Sequence, residues 1–200
     1  MSKLALSIGK STGTYSPILS SAKEKEDAWL CFATYIKIRD AIKTTQTLHK
    51  CRCFTCGKVL DLIKDTHAGH FLPGRTGAIL FDFVQVNGQC FRCNRILHGN
   101  WPVYEKKMIE LYGYERVEAM KIQRTTILKW KAWEYREMRD KCIRLLVELV
   151  KPYDLYAMLK VDHRIINKLK DCHVLILEKT AETKVNGIPI IRFNPEFDCS

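Results

Sequence analysis

Nowhere does an apolar run reach the roughly eighteen residues that a membrane span requires, so no membrane partner is expected. Met1 to Ser16 has no apolar core followed by a cleavage-like site, which argues against a secretory signal and for a cytoplasmic protein. Acidic residues are also in deficit, 22 against 33 Lys and Arg, giving a net charge of +11. By quarters of the chain the basic and acidic counts are 8 and 4, 6 and 3, 11 and 8, and 8 and 7, so the excess spreads over the first three quarters. That distribution favours a folded surface facing phosphates over a disordered basic arm. Hydrophobic residues make up 46%, enough for a core without disulfides. Nine cysteines in a reducing compartment do not form a disulfide framework. Five of them fall in two tight clusters, Cys51/Cys53/Cys56 and Cys90/Cys93, while Cys31, Cys142, Cys172 and Cys199 are scattered core or surface residues.

Periodicity divides the chain into residues 1–25, a flexible N-terminus, residues 26–150, a domain with its cysteine module at 51–100 and helices at 102–150, and residues 151–200, an extension of unassigned role. A helical period starts at Glu26, with Trp29, Phe32, Ala33 and Ile36 on one stripe. Apolar runs at 58–63 and 78–86 predict two short strands, broken by Pro73-Gly74 and Gly77. Asn100 and Pro102 read as a helix start and Gly113 as its stop, followed by a helix over 114–123. A longer helix is expected over 126–150. Its heptad-like stripe (Leu128, Tyr135, Met138, Cys142, Leu145, Leu149) fits packing on the chain's own core or the seam of a homodimer. A short helical stretch to Lys170 and a hairpin with Asn186-Gly187 at its turn complete the reading. The fold class expected is α+β: a mainly helical chain around a small metal-bound ββα module, with a short C-terminal hairpin.

Cys53-x2-Cys56 and Cys90-x2-Cys93 supply four thiolates, the set that closes a tetrahedral structural Zn²⁺ site. Between the two pairs lies Thr66-His67-Ala68-Gly69-His70-Phe71, and a purely structural ribbon has no need of two histidines there. On a strand, His67 and Gly69 share one face and His70 takes the other. Histidine suits a general base because it titrates near working pH, which makes His70 the candidate base and His67 a candidate metal ligand. Asn94 and His98 stand four apart on the following helical turn and can project together. Strand, loop and helix with these residues match a ββα-metal arrangement, in which a hard divalent ion, Mg²⁺ or Mn²⁺, holds a scissile phosphate.

The strings Cys-Phe-Thr-Cys-Gly (53–57), Ala-Gly-His-Phe (68–71), Leu-Phe-Asp (80–82), Gly-Gln-Cys-Phe-Arg-Cys-Asn (88–94) and Leu-His-Gly-Asn (97–100) resemble the lambda NinG, or Rap, family. Residues 28–40 and 104–113 resemble it too, so the likeness spans roughly 26 to 120 and leaves 151–200 outside. It implies an HNH-like endonuclease acting on branched double-stranded DNA, Holliday junctions and D-loops, in phage recombination. By position, Cys53, Cys56, Cys90 and Cys93 match the zinc ligands, His70 the histidine of the family's AGHF motif, and Asn94 the terminal metal-binding residue of wider HNH enzymes. Two positions depart. Gly69 stands where such enzymes often carry Asp or His, leaving the first metal ligand open, with His67 as the substitute by strand face. Gln85, or alternatively Asn87, stands for the motif's central Asn, a residue that braces the loop.

The leading expectation is therefore a metal-dependent, structure-specific DNA endonuclease, with Arg75, Arg92 and Arg95 gripping phosphates rather than reading bases. A non-catalytic zinc-ribbon DNA binder, serving as recombination accessory or regulator, is the second reading. The AGHF segment is what such a binder would not require. A sequence-specific nuclease is the third, and only the unrecognised tail offers a reading element for it.

Overall fold

Helix α1 (Ser21–Thr45) is buried around most of its circumference, with Ala28, Cys31, Phe32, Thr34, Ile36, Ile38 and Ala41 all covered. A helix apolar on several faces belongs at the centre of a fold rather than on its surface. In the computed structural model, which describes residues 21–74, 77–178 and 189–197, the other elements are laid around it. The helix begins at Ser21, five residues before the stripe that announces it. Residues 1–20, the bulk of the expected flexible N-terminus, lie outside the described residues.

Three two-stranded antiparallel hairpins accompany the helices. β1 (Lys50–Arg52) pairs with β2 (Val59–Asp61), and β3 (Thr66–His70) with β4 (Val86–Cys90) in a register that sets Thr66 opposite Cys90 and His70 opposite Val86. The run at 78–86 is a correction to the sequence reading: only Val86 enters a strand, and the rest forms a loop of successive turns. Asp82 explains it, because its Oδ1 accepts from the amides of Val84 and Gln85 at 2.8 and 3.0 Å, a local bond that competes with strand pairing. Ile79, Leu80 and Phe81 are buried from this loop all the same.

After β4 a π-helical turn (Arg92–Ile96) leads to α2 (Trp101–Tyr112), Gly113, and α3 (Tyr114–Gln123). These two helices bury Tyr104, Met108, Val117 and Met120 against Phe71, Leu72 and Ile79. Residues 127–131 are not helical, so α4 (Ala132–Val150) is shorter than expected. Its buried residues, Tyr135, Cys142, Ile143, Leu146, Val147 and Val150, join the core built on α1. Of the stripe considered as core face or dimer seam, Tyr135 and Cys142 are buried in this core, Met138 and Leu149 pack partly against it, Leu145 lies outside it, and Leu128 is not part of the helix. α5 (Leu155–Val161) and α6 (His163–Asp171) start at Asp154 and Asp162, whose carboxylates accept from the first-turn amides. β5 (Leu175–Glu178) then pairs with β6 (Ile190–Phe193). The predicted turn at Asn186-Gly187 lies outside the described residues. Arg164 ties this C-terminal part to the β1–β2 hairpin through Asp61 at 2.7 Å. Among the described residues no helix is long and apolar enough to cross a membrane.

Candidate active-site cleft and metal centre

Hairpin β1–β2 and the end of β4 bring the two Cys-x2-Cys pairs together. The sulfurs of Cys53, Cys56, Cys90 and Cys93 all lie within 4.8 Å of one another, and those of Cys56 and Cys90 are 3.9 Å apart. Four sulfurs about 2.3 Å from one zinc ion sit about 3.8 Å apart, so the cluster fits such an ion. The surroundings favour thiolate at Cys53, while burial pushes the Cys56 thiol up and that of Cys90 up to about 12. The Cys90 amide donates to Cys53 Sγ at 3.3 Å, the Cys93 amide to Cys90 Sγ at 3.4 Å, and Asn100 Nδ2 to Cys93 Sγ at 3.7 Å. Burial pushes the Cys53 thiol up, but hydrogen bonds from Thr55 Oγ1 and the amides of Cys56, Cys90 and Thr55 together outweigh it and hold it at about 6. Cys51 stands apart from the cluster, and burial pushes its thiol up to about 12.

On the other side of the π-turn, an open cleft of about 460 Å³ is lined by Ala68, His70, Pro73, Gly74, Asn94, Arg95, His98 and Gly99. Three residues separated in sequence converge here for identifiable reasons. Strand alternation turns His70 to the same side as Ala68. Asn94 lies in the middle of the π-turn, whose wide loop is closed by the Leu97 amide on Arg92 O at 2.8 Å. His98, Gly99 and Asn100 all have left-handed backbone, with φ of 47°, 90° and 51°. This reverses the chain and returns His98 to the cleft. A histidine in that conformation is strained by about 1 kcal/mol, offset here by Gln89 Nε2 donating to Gly99 O at 2.8 Å and the Gly99 amide donating to Cys93 O at 2.8 Å.

The His70 ring is held on two sides. Trp29 of α1 stacks on it with centroids 5.4 Å apart and planes 12° from parallel. Its Nε2 lies 3.2 Å from Leu80 O. A carbonyl oxygen only accepts, so Nε2 carries the proton in that bond and the neutral ring keeps its basic lone pair on Nδ1. Leu80 is set by the Asp82 turns, so the loop that is not a strand fixes the tautomer.

The other sequence-predicted residues fall elsewhere. His67 lines a different groove, with Lys58, Lys64, Asp65, Phe91 and Arg92, on the opposite face of β3 from His70. His67, Asn94 and His98 therefore do not line one site, and the substitute-ligand reading of His67 is corrected by the same alternation that aims His70. Burial, then the charges of Lys37 and Arg95, hold the His67 ring below the ordinary histidine range. Gln85 is buried outside the cleft and braces the loop, its Nε2 donating to Asp82 Oδ2 at 2.8 Å and lying 3.2 Å from Gln123 Oε1. Asn87 braces too, its Nδ2 donating to Tyr104 Oη at 2.9 Å and its Oδ1 accepting from Arg39 at 3.1 Å. Arg95 lines the His70 cleft and Arg92 the His67 groove. Arg75 lies outside the described residues.

Gly69 has a plain structural cause. A Cβ there would come 2.1 Å from Oε1 of Gln89, a fully buried side chain pinned to Gly99 O and Thr55 Oγ1. An Asp or His before the base has no room. Three residues that support the site carry no local signal. Asp40 Oδ2 accepts from the Gly88 amide at 2.6 Å, and Arg39 reaches Phe83 O and Val86 O, so α1 clamps β4 and the loop. The buried Tyr104 hydroxyl lies 3.1 Å from both Gly69 O and Gln85 O, bridging β3 to the loop end. Phe-Arg-Cys-Asn points to the knuckle, but nothing in the sequence pairs Trp29 with His70 beyond its place on the α1 stripe.

Comparison of the chain with known proteins gives one positive finding. A family described as Bacteriophage Lambda NinG protein matches residues 21–151, most of the chain. No curated protein and no solved structure matches.

Proposed function

The chain belongs to the bacteriophage lambda NinG protein family, and from that premise we propose that it is a phage recombination endonuclease of HNH type that cuts branched DNA. The observation that carries the reading is the cleft in which His70, held by Trp29 and Leu80 O, faces the same space as Asn94, His98 and Arg95. The order hairpin β3–β4, then helical turn, is what a ββα-metal site needs, and the four-cysteine cluster is the staple that fixes the turn to the strands. A zinc ion held by Cys53, Cys56, Cys90 and Cys93 supplies structure and no chemistry, having no open position.

In the cutting step His70 Nδ1 takes a proton from water as its oxygen forms a bond to phosphorus. The bond from phosphorus to the 3′ oxygen breaks with its electron pair on that oxygen, which takes a proton from solvent, leaving 3′-hydroxyl and 5′-phosphate ends. Leu80 O and Trp29 hold the ring in the orientation and tautomer the transfer requires. Asn94 and His98 are the residues that would hold Mg²⁺ or Mn²⁺. Among the described residues the cleft lining includes no carboxylate, so most positions on such an ion would fall to phosphate oxygens and water, a division common for magnesium. Such an ion would supply charge stabilisation for the leaving oxygen. Arg95 stands where it can meet the adjoining phosphate.

The test is a four-way junction, a D-loop, a flap and a linear duplex incubated in parallel with Mg²⁺ or Mn²⁺. Wild type is expected to cut the branched substrates and spare the linear duplex, with His70→Ala slower by about 10³-fold. Binding without any cutting would instead identify a zinc-ribbon accessory protein.

A further inference from the structure

The π-turn presents apolar side chains to solvent beside the cleft. Phe91, Ile96 and Leu97 are 56%, 60% and 41% exposed. Lone exposed apolar residues are ordinary, but three on one short turn mark a contact surface. The surrounding charge is of one sign, with no acid between Asp82 and Glu105 in the sequence and both Arg92 and Arg95 exposed on the turn. Those arginines diverge. Arg95 faces the His70 cleft, whereas Arg92, with Lys58 and Lys64, lines the groove of His67, where Asp65 is the one acid. The apolar crest lies beside two channels: Arg95 is the cation of the first, and Arg92, Lys58 and Lys64 are those of the second, which Phe91 itself helps to line.

We propose that the turn 91–97 is a wedge for the branch point of DNA. Ile96, Leu97 and Phe91 enter between bases there, while the two channels take the sugar-phosphate backbones that diverge on either side. This inference rests on the branched-DNA reading of the cleft. Charge complementarity selects the occupant, because cations flank the crest and a branch offers phosphates on both sides of exposed base faces. Energetics select the branch over a continuous duplex. An apolar wedge must unstack a base step, which costs more in intact duplex than where stacking is already interrupted. The wedge recognises shape without reading sequence, and it sets the branch at a fixed distance from His70.

The experiment uses a four-way junction carrying 2-aminopurine at the branch, and a linear duplex carrying it at the same sequence, with no divalent ion added. Wild type is expected to raise the fluorescence of the junction and not of the duplex. Ile96→Ser with Leu97→Ser abolishes the rise and weakens junction binding about tenfold, with zinc content and duplex binding held within about twofold. Ile96→Leu with Leu97→Met retains both the rise and the affinity. An unchanged rise in the serine variant overturns the wedge, as does an equal loss on junction and duplex. So does a wild-type dimer that the serine variant splits to monomers in light scattering, since the crest is then a contact between copies of this chain. Adding Mg²⁺ separates the two readings. A junction unstacked at the branch but never cut keeps the wedge and removes the nuclease, whereas cutting at the wild-type rate by the serine variant does the reverse.

Discussion

The two faces of strand β3 carry one histidine each, and the molecule treats them differently. His70 is stacked by Trp29, tethered at Leu80 O, and set among Asn94, His98 and Arg95. His67 lies against Phe91, with ring centroids 5.9 Å apart, in a groove shared with lysines, Arg92 and Asp65. They stand three residues apart, and only the His67 groove reaches the cysteine cluster, through Cys56 and Cys90. What separates them is the strand period of two, which turns one ring toward the helical turn and the other away. The lesson is that a motif's histidines divide between tasks by parity. One face is built to hold a ring in a single tautomer, the other to present charge.

That contrast can be broken or sharpened by substitution, beginning with what both faces share. Removing the metal with a strong chelator, or Cys93→Ser, should dissolve the difference altogether. The cluster fixes the π-turn to β4, and a structural zinc site of this kind is worth about 10 kcal/mol of binding free energy. Circular dichroism and limited proteolysis should show the 50–100 module opening while the α1–α4 core retains helix. Next in size is Gly69→Ala, which places a methyl group against the pinned Gln89 between the two faces. Overpacking there should cost about 2 kcal/mol in urea unfolding, and pairing it with Gln89→Ala should recover part of the loss.

Trp29→Leu removes the stack from the His70 face alone. It should reduce junction cleavage about tenfold with binding unchanged, since an aromatic contact of about 1 kcal/mol helps to orient the ring. The smallest effect is expected farthest from β3. Arg164 is tied to Asp61 and Asp162 with its side chain 39% exposed, where water screens the pairs, so Arg164→Ala should cost the least stability of these variants in urea unfolding. Its hydrogen bond to Asp162 holds that carboxyl below its ordinary value of 3.8. A depressed carboxyl stabilises the fold above the unfolded value and loses that contribution as pH falls through the folded one. The variant should therefore show a shallower loss of stability below pH 3.8 in acid titration.

Much of the site is legible in the order of residues alone. The cysteine spacing names the four cluster residues and leaves out Cys51. The strand parity of 66–70 and the bounds of α3 are local patterns that survive folding, whereas Asn94 and His98 share the cleft through the left-handed reversal at 98–100 and not through helical spacing. What escapes is tertiary. His67 reads as a ligand for the same metal as Asn94 because sequence carries no information on which side of β3 the turn packs. Gly69 reads as a missing ligand, yet Gln89, twenty residues on, occupies the space that a ligand there would need. The 78–86 run has strand composition, but Asp82 spends its carboxylate on local amides. The heptad-like stripe of α4 misses Ile143, Leu146 and Val147, which are apolar for the sake of α1, a partner about a hundred residues away.

The central claim is that the His70 face performs the chemistry and the His67 face does not. Single-turnover cleavage of a four-way junction in Mg²⁺ by wild type, His70→Ala and His67→Ala tests it most directly. His70→Ala should lose about 10³-fold in rate with junction affinity kept, and His67→Ala should stay within about threefold of wild type. Equal losses for the two variants, or a His70→Ala variant that cuts at the wild-type rate, would contradict it.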